Sequence, residues 1–305
     1  MFLILKHKTI TTFKTRIMEN YPIPKKVTAR LMKVIQSILT VHSIYLIGVQ
    51  RESRSSLYVL DSEKECPDRD LYTITLLIIS EENIAQPKEF MNEVFTKMNQ
   101  RVKIYPILYT LNDVKYRLNA GDNFLSRTLL PENALIFSHG LMVFSYCHHP
   151  KMYDIIHQEW EFRMKRAYYF EDKAYVCDSV PDQNAKMLLL SQALQQACAA
   201  LLYVFWEWKP SQYDLDYLLN LCRCFCHSPR ILFPRKSFRS NNVYHALCHA
   251  QYNVNFKSVS YVSQEGTYYA NDLCRRFLDK AKEEGTKKLQ ELEQLHNLSG
   301  NSKTT

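Results

Sequence analysis

Four groups of residues in this chain have types and spacings that suit chemistry. Asp68 and Asp70 stand at i and i+2, so on a strand their carboxylates would share a face, as oxygen donors to a hard divalent ion do. Arg239 and His245 are separated by Ser-Asn-Asn-Val-Tyr. A histidine moves protons near neutral pH, and an arginine holds phosphate charge. His245 and His249, at i and i+4, share a helix face as metal-binding pairs do, but no glutamate accompanies them, and a packed or solvated pair is the plainer reading. Cys222, Cys224, Cys226 and His227 crowd together, yet on a helix Cys224 points away from Cys222 and Cys226, which suits zinc poorly.

Composition narrows the classes further. Six glycines in 305 residues, with neither G-x-x-x-x-G-K-[ST] nor G-x-G-x-x-G, argue against the common phosphate-cradling loops of ATPases and dinucleotide enzymes. A net charge of +8 permits a polyanionic partner, although the basic residues are dispersed rather than massed in one run. Cysteines inside apolar segments (Cys198, Cys222, Cys248, Cys274) suit reduced thiols in a cytoplasmic core, not a disulfide framework. The opening MFLILKHKTITTFK lacks the apolar core and cleavage site of a signal peptide, and no uninterrupted apolar run is long enough to span a bilayer, so neither export nor a membrane partner is expected.

Hydrophobic periodicity places these residues on elements. Val27, Leu31, Val34, Ile35 and Ile38 give a helix over Lys25–Leu39, followed by a buried strand Ser43–Gly48 and a polar stretch from Val49 to Arg69. A second strand, Tyr72–Ile79, a helix over Lys88–Gln100 and a third strand, Val102–Tyr109, complete an α/β order. Helices then follow over Tyr153–Cys177, Met187–Trp206, Asp214–Cys226, Val243–Val254 and Asn271–Leu289, a bundle of about five. In the almost wholly apolar second of these, Ala193, Ala197 and Ala200 form a stripe where a neighbouring helix can approach. Pro210 ends it, and Ser211 and Asp214 can cap the next.

The layout of the second half resembles the HEPN domain found behind a nucleotidyltransferase domain in bacterial fusion proteins. The matching residues are Gln192–Ala193, Lys209–Pro210, Asp214–Leu215, Leu232-Phe-Pro-Arg235 and Ala246-x-x-x-Ala250-x-Tyr252. The chain departs from the family pattern at Tyr213, where His is usual, and at His249-Ala250-Gln251-Tyr252, where Asp-Ala-Arg-Tyr is usual. The first half is similar to a polymerase-β-type nucleotidyltransferase domain: Ile44-Tyr-Leu-Ile-Gly48 resembles its Leu-Phe-Gly-Ser strand, and Thr110 to Phe137 its ending, with a Gly-x-x-Phe. Active members carry Ser after the glycine, two carboxylates at i and i+2 opening the second strand, and a third from a later strand. Here Val49 replaces the Ser, Asp68 and Asp70 precede the apolar run, and the third strand has no acid.

The resemblance implies a fold of α/β plus all-α class: a degenerate nucleotidyltransferase-like α/β domain over 18–140 and a HEPN helical bundle over 150–293. Residues 1–17 and 297–305 are expected to be flexible ends. The function implied is a nucleotide- or RNA-binding regulatory or defence protein of toxin–antitoxin type, with no cofactor, homodimeric through the bundle. Gly48, Gln50, Arg51, Asp68 and Asp70 are its nucleotide-binding candidates, and no metal ligand set is assigned. One alternative is a HEPN ribonuclease using Arg239 and His245 across a dimer cleft. Another is a magnesium-dependent nucleotidyltransferase with Asp68 and Asp70 as ligands.

Overall fold

The computed structural model describes residues 23–52, 70–130, 133–137, 153–176 and 182–301. Asp68, residues 1–17 and the end of the chain after 301 lie outside them. The chain divides into two compact units, Met1–His149 and Pro150–Thr305.

The first unit is a mixed four-stranded sheet with helices. Its elements run α1 (Lys25–Ile38), β1 (Val41–Glu52), β2 (Leu71–Ser80), α2 (Pro87–Lys97), β3 (Val102–Thr110), α3 (Leu111–Asn119), α4 (Asn123–Thr128) and β4 (Ala134–Phe137). The sheet order is β3-β2-β1-β4, with β2 parallel to β3 and the other pairs antiparallel. All ten residues of β2 are buried, because it lies between two strands and is covered on both faces. That explains its continuous apolar run where a half-exposed strand would alternate. On one face Ile44, Leu46, Tyr72, Ile74, Ile78, Val102 and Ile104 form a core with Leu31 and Ile35 of α1 and Phe90 and Val94 of α2. On the other, α3 lies against β2 and β3. Capping is local: Thr110 and Asp113 make a reciprocal capping box on α3, and Asp122 caps α4.

Two boundaries differ from the sequence expectation. Val49 to Glu52 continue β1 instead of opening a loop, because they pair with Leu71 to Ile74. Helix α2 stops at Lys97, before Asn99 and Gln100, which take left-handed backbone angles (φ 54° and 58°) that an α-helix does not accommodate.

The second unit is helical: α5 (Tyr153–Val176), α6 (Gln183–Trp206), α7 (Leu215–Cys222), α8 (Ser228–Leu232), α9 (Phe238–Cys248), α10 (Ala250–Phe256) and α11 (Gln264–Asn301). Sixteen of the 24 residues of α6 are buried, including Ala193, Ala197 and Ala200, and α5 and α11 pack on it. By length and composition α6 could cross a membrane, but most of it is buried within this unit. It ends at Glu207, whose left-handed φ of 56° closes the last turn ahead of Pro210. The helix expected over Val243–Val254 is instead α9 and α10. α9 starts early because Ser237 and Ser240 cap it reciprocally. The helix expected over Asn271–Leu289 runs from Gln264 to Asn301, so residues 297–301 are helical rather than a loose tail. Gly285 of α11 lies against the Trp160 ring of α5; a Cβ there would sit 2.0 Å from Trp160 Cη2.

Candidate functional site

In the sheet unit the nominated residues divide between the two faces. A β-bulge between Leu46 and Gly48 inserts one extra residue in β1. Past it, Gly48 pairs with Thr75 and Gln50 with Thr73, while Val49 pairs with Ile74 and Arg51 with Tyr72. Directly paired residues point to the same side, so Gly48 and Gln50 share one face and Arg51 belongs to the other, with the α1–α2 core residues Tyr72 and Ile74.

Asp70, one residue before β2, is engaged by protein groups. Arg51 Nη2 lies 2.9 Å from its Oδ2, and the Tyr72 hydroxyl donates to the same oxygen at 3.3 Å. The hydrogen bond and charge of Asp70 push the Arg51 guanidinium above its ordinary value. Burial, then the Asp70 charge, pushes the Tyr72 phenol up. A magnesium ion would need several anionic oxygens converging on it. The one described aspartate at this strand end holds a guanidinium, and neither β2 nor β3 contains an acid. Among the described residues, no group of three or more His, Cys, Asp and Glu side chains could hold a metal ion. Among the described residues this strand end supplies one carboxylate, already paired with a guanidinium; Asp68, the other nominated ligand, lies outside them.

The opposite face offers a different chemistry. Parallel pairing sets Thr73 beside Lys103 and Thr75 beside Tyr105, so Gln50, Thr73 and Lys103 form one polar row across β1, β2 and β3. Gly48, Thr75 and Tyr105 form the next row. Lys103 Nζ stands 4.9 Å from the Tyr105 ring centre. Gln50 and Lys103 are half-buried and put an amide and an ammonium on this face without a carboxylate, a pair that suits an anion, while Thr73, Thr75 and Tyr105 are buried. Lys103 and Thr73 were missed in the sequence because a lysine and a threonine in an apolar run carry no motif. Only the register reveals them as neighbours of Gln50.

In the helical unit the motif residues are spent on structure. Asp214 caps α7, accepting from Tyr217 N at 3.3 Å. Leu232 and Phe233 are buried, and the Phe233 ring meets Tyr244 of α9 at 6.0 Å and Phe277 of α11 at 6.1 Å. Arg235, held at φ 51°, lies over the Tyr244 ring (4.7 Å) and 3.8 Å from Asp216, to which the Tyr244 hydroxyl donates at 2.5 Å. Burial, reinforced by nearby Cys248 and Asp216, pushes the Tyr244 phenol well up. Lys209 reaches Glu159 at 2.9 Å, and Arg163 reaches the same carboxylate at 2.6 Å. Trp206, Trp208 and Phe225 pack edge to face. Cys222 and Cys274 are fully buried, and desolvation pushes both thiols well up, which favours the inert protonated form.

Arg239 and His245 do not meet within the chain. Both lie on α9, Arg239 in its first turn and not in the preceding loop, and His245 in its last. Six residues along a helix turn them roughly 120° apart and raise one about 9 Å above the other. Arg239 pairs with Glu265 at 2.9 Å and covers the Tyr269 ring, while His245 stacks on His249 at 5.1 Å.

No protein-family model matches the chain, and no curated protein matches it in sequence.

Proposed function

We propose that this chain is a nucleotidyltransferase-like domain fused to a HEPN-type helical bundle, and that its first domain binds a nucleotide or RNA end without transferring it. The observation that carries this reading is the Arg51–Asp70 pair: a guanidinium holds the carboxylate where the resemblance would require a metal-binding acid. Gln50 and Lys103, half-buried on the same face of the sheet, receive the phosphate of the ligand by amide and ammonium contacts. Its role is regulatory or defence-linked and its setting cytoplasmic, in keeping with buried thiols.

Homodimerisation through the bundle belongs to the same proposal. Ile155, Phe162, Tyr169 and Val176 recur every seven residues along α5, each at least half exposed. A heptad stripe on an outer face suits an antiparallel copy of itself. Light scattering tests it: a dimer mass supports the stripe as an interface, and a monomer mass that Phe162→Glu leaves unchanged contradicts it.

Calorimetry with a panel of nucleoside triphosphates tests the binding reading. Heat that persists in EDTA and disappears in Lys103→Ala supports it; absence of heat with every nucleotide contradicts it.

A further inference from the structure

His245 lies in the last turn of α9, and His249 caps that helix. The His249 N–H donates to His245 O at 3.0 Å, so the cap keeps the helical turn and the two side chains emerge one above the other. Their neighbours Val243, Tyr244, Ala246, Leu247 and Ala250 are buried, which turns the opposite side of the helix, and with it both imidazoles, out to water. The rings stand side by side, with 5.1 Å between centres and 20° between planes. The pair is therefore solvated and takes no part in the core.

Two neutral imidazoles one turn apart are a bidentate donor for a transition ion, which binds each nitrogen at about 2.0–2.1 Å. The glutamate missing from this pair is a base in the metalloprotease pattern and not a ligand, so its absence removes hydrolytic chemistry and leaves the chelate intact. Rings already side by side need only side-chain rotation to aim both nitrogens at one ion, and at the surface that rotation displaces no core residue. Asn241, exposed one turn before His245, sets an amide oxygen on the same face, and water completes the shell. The end of a helix also carries partial negative charge, which attracts a cation. Cys248 bonds to Tyr244 instead, and burial pushes its thiol up, so it stays protonated and is no ligand.

We propose that His245 and His249 chelate a divalent transition ion of the zinc, nickel or copper kind, bridging the last turn of α9 and its cap. Imidazole nitrogen selects these ions over magnesium and calcium, which take oxygen donors. The ion clips the junction between α9 and α10. Because the unfolded chain does not hold the two rings in register, occupancy stabilises the folded bundle. A ring nitrogen engaged with a metal cannot carry a proton, so this role of His245 competes with the ribonuclease alternative. The site lies wholly in the helical unit and does not depend on nucleotide binding at the sheet.

Calorimetric titration of the full chain with zinc chloride tests the proposal, with magnesium chloride as the second arm. Zinc should bind far more tightly than magnesium. His245→Ala and His249→Ala should each weaken zinc binding roughly tenfold or more, since even an outer-shell partner of a metal is worth that much. The double variant should bind no worse than either single one, because the first substitution already ends the chelation. His157→Ala, which removes an exposed histidine of α5, should leave zinc affinity unchanged. Melting temperature gives a second readout: zinc should raise it in the parent, EDTA should reverse the rise, and neither single variant should show it. Unchanged zinc affinity in both single variants, an equal loss in His157→Ala, magnesium binding as tight as zinc, or no zinc binding would each overturn the proposal.

Discussion

The two units of this protein use the same three side chains in opposite ways. Arg51, Asp70 and Tyr72 meet at the connected end of the β1–β2 hairpin; Arg235, Asp216 and Tyr244 meet where α7, the turn after α8, and α9 converge. In the first trio the guanidinium is 55% exposed and the phenol donates at 3.3 Å; in the second the guanidinium is 30% exposed and the phenol donates at 2.5 Å. The residues of the first are held by one strand register. Those of the second come from three separate segments and hold Arg235 in a left-handed conformation. The comparison teaches that an Arg–Asp–Tyr contact has no inherent role. At the strand end it pairs an exposed guanidinium with one carboxylate, and in the bundle it ties helices together.

The largest expected effect lies in the bundle. Gly285→Ala drives a methyl into the Trp160 ring and should cost about 3 kcal/mol in urea unfolding, since neither the long helix nor the indole can move freely. Asp216→Ala should cost about 2 kcal/mol by the same measurement, because it strands a buried hydroxyl. A smaller loss would show that the second trio is no more structural than the first.

Acid sharpens the contrast. Burial raises the Glu159 carboxyl, but the hydrogen bonds and charges of Lys209 and Arg163 outweigh it and leave its value lowered from 4.5. A depressed carboxylate contributes stability that is present above its unfolded value and lost as pH falls through the folded one. Melting temperature should therefore drop more steeply below about pH 4.5 in the parent than in Glu159→Gln. At the low end, Asp70→Asn should leave the unfolding midpoint close to the parent's, as exposed ion pairs contribute little.

Much of this arrangement is legible in the sequence, and the exceptions have physical causes. The period of α1 and the apolar run of β2 announce themselves, because burial on one or two faces dictates which residues recur. The apolar α6 likewise declares a bundle core. The bulge beside Gly48 does not: one extra residue leaves the pattern of Ile44-Tyr-Leu-Ile unchanged but reverses the face that Gln50 and Arg51 serve. Nor does the junction at His249, where hydrogen bonding runs on through the break between α9 and α10.

The central claim is that the sheet unit holds its ligand through an anion-binding row and not through a metal. The most direct measurement is calorimetric titration of the full chain with ATP, in EDTA and in magnesium, for the parent, Lys103→Ala and Asp70→Asn. The account predicts equal affinity in both buffers, unchanged in Asp70→Asn and lost in Lys103→Ala. Binding that appears only with magnesium and vanishes in Asp70→Asn would contradict it.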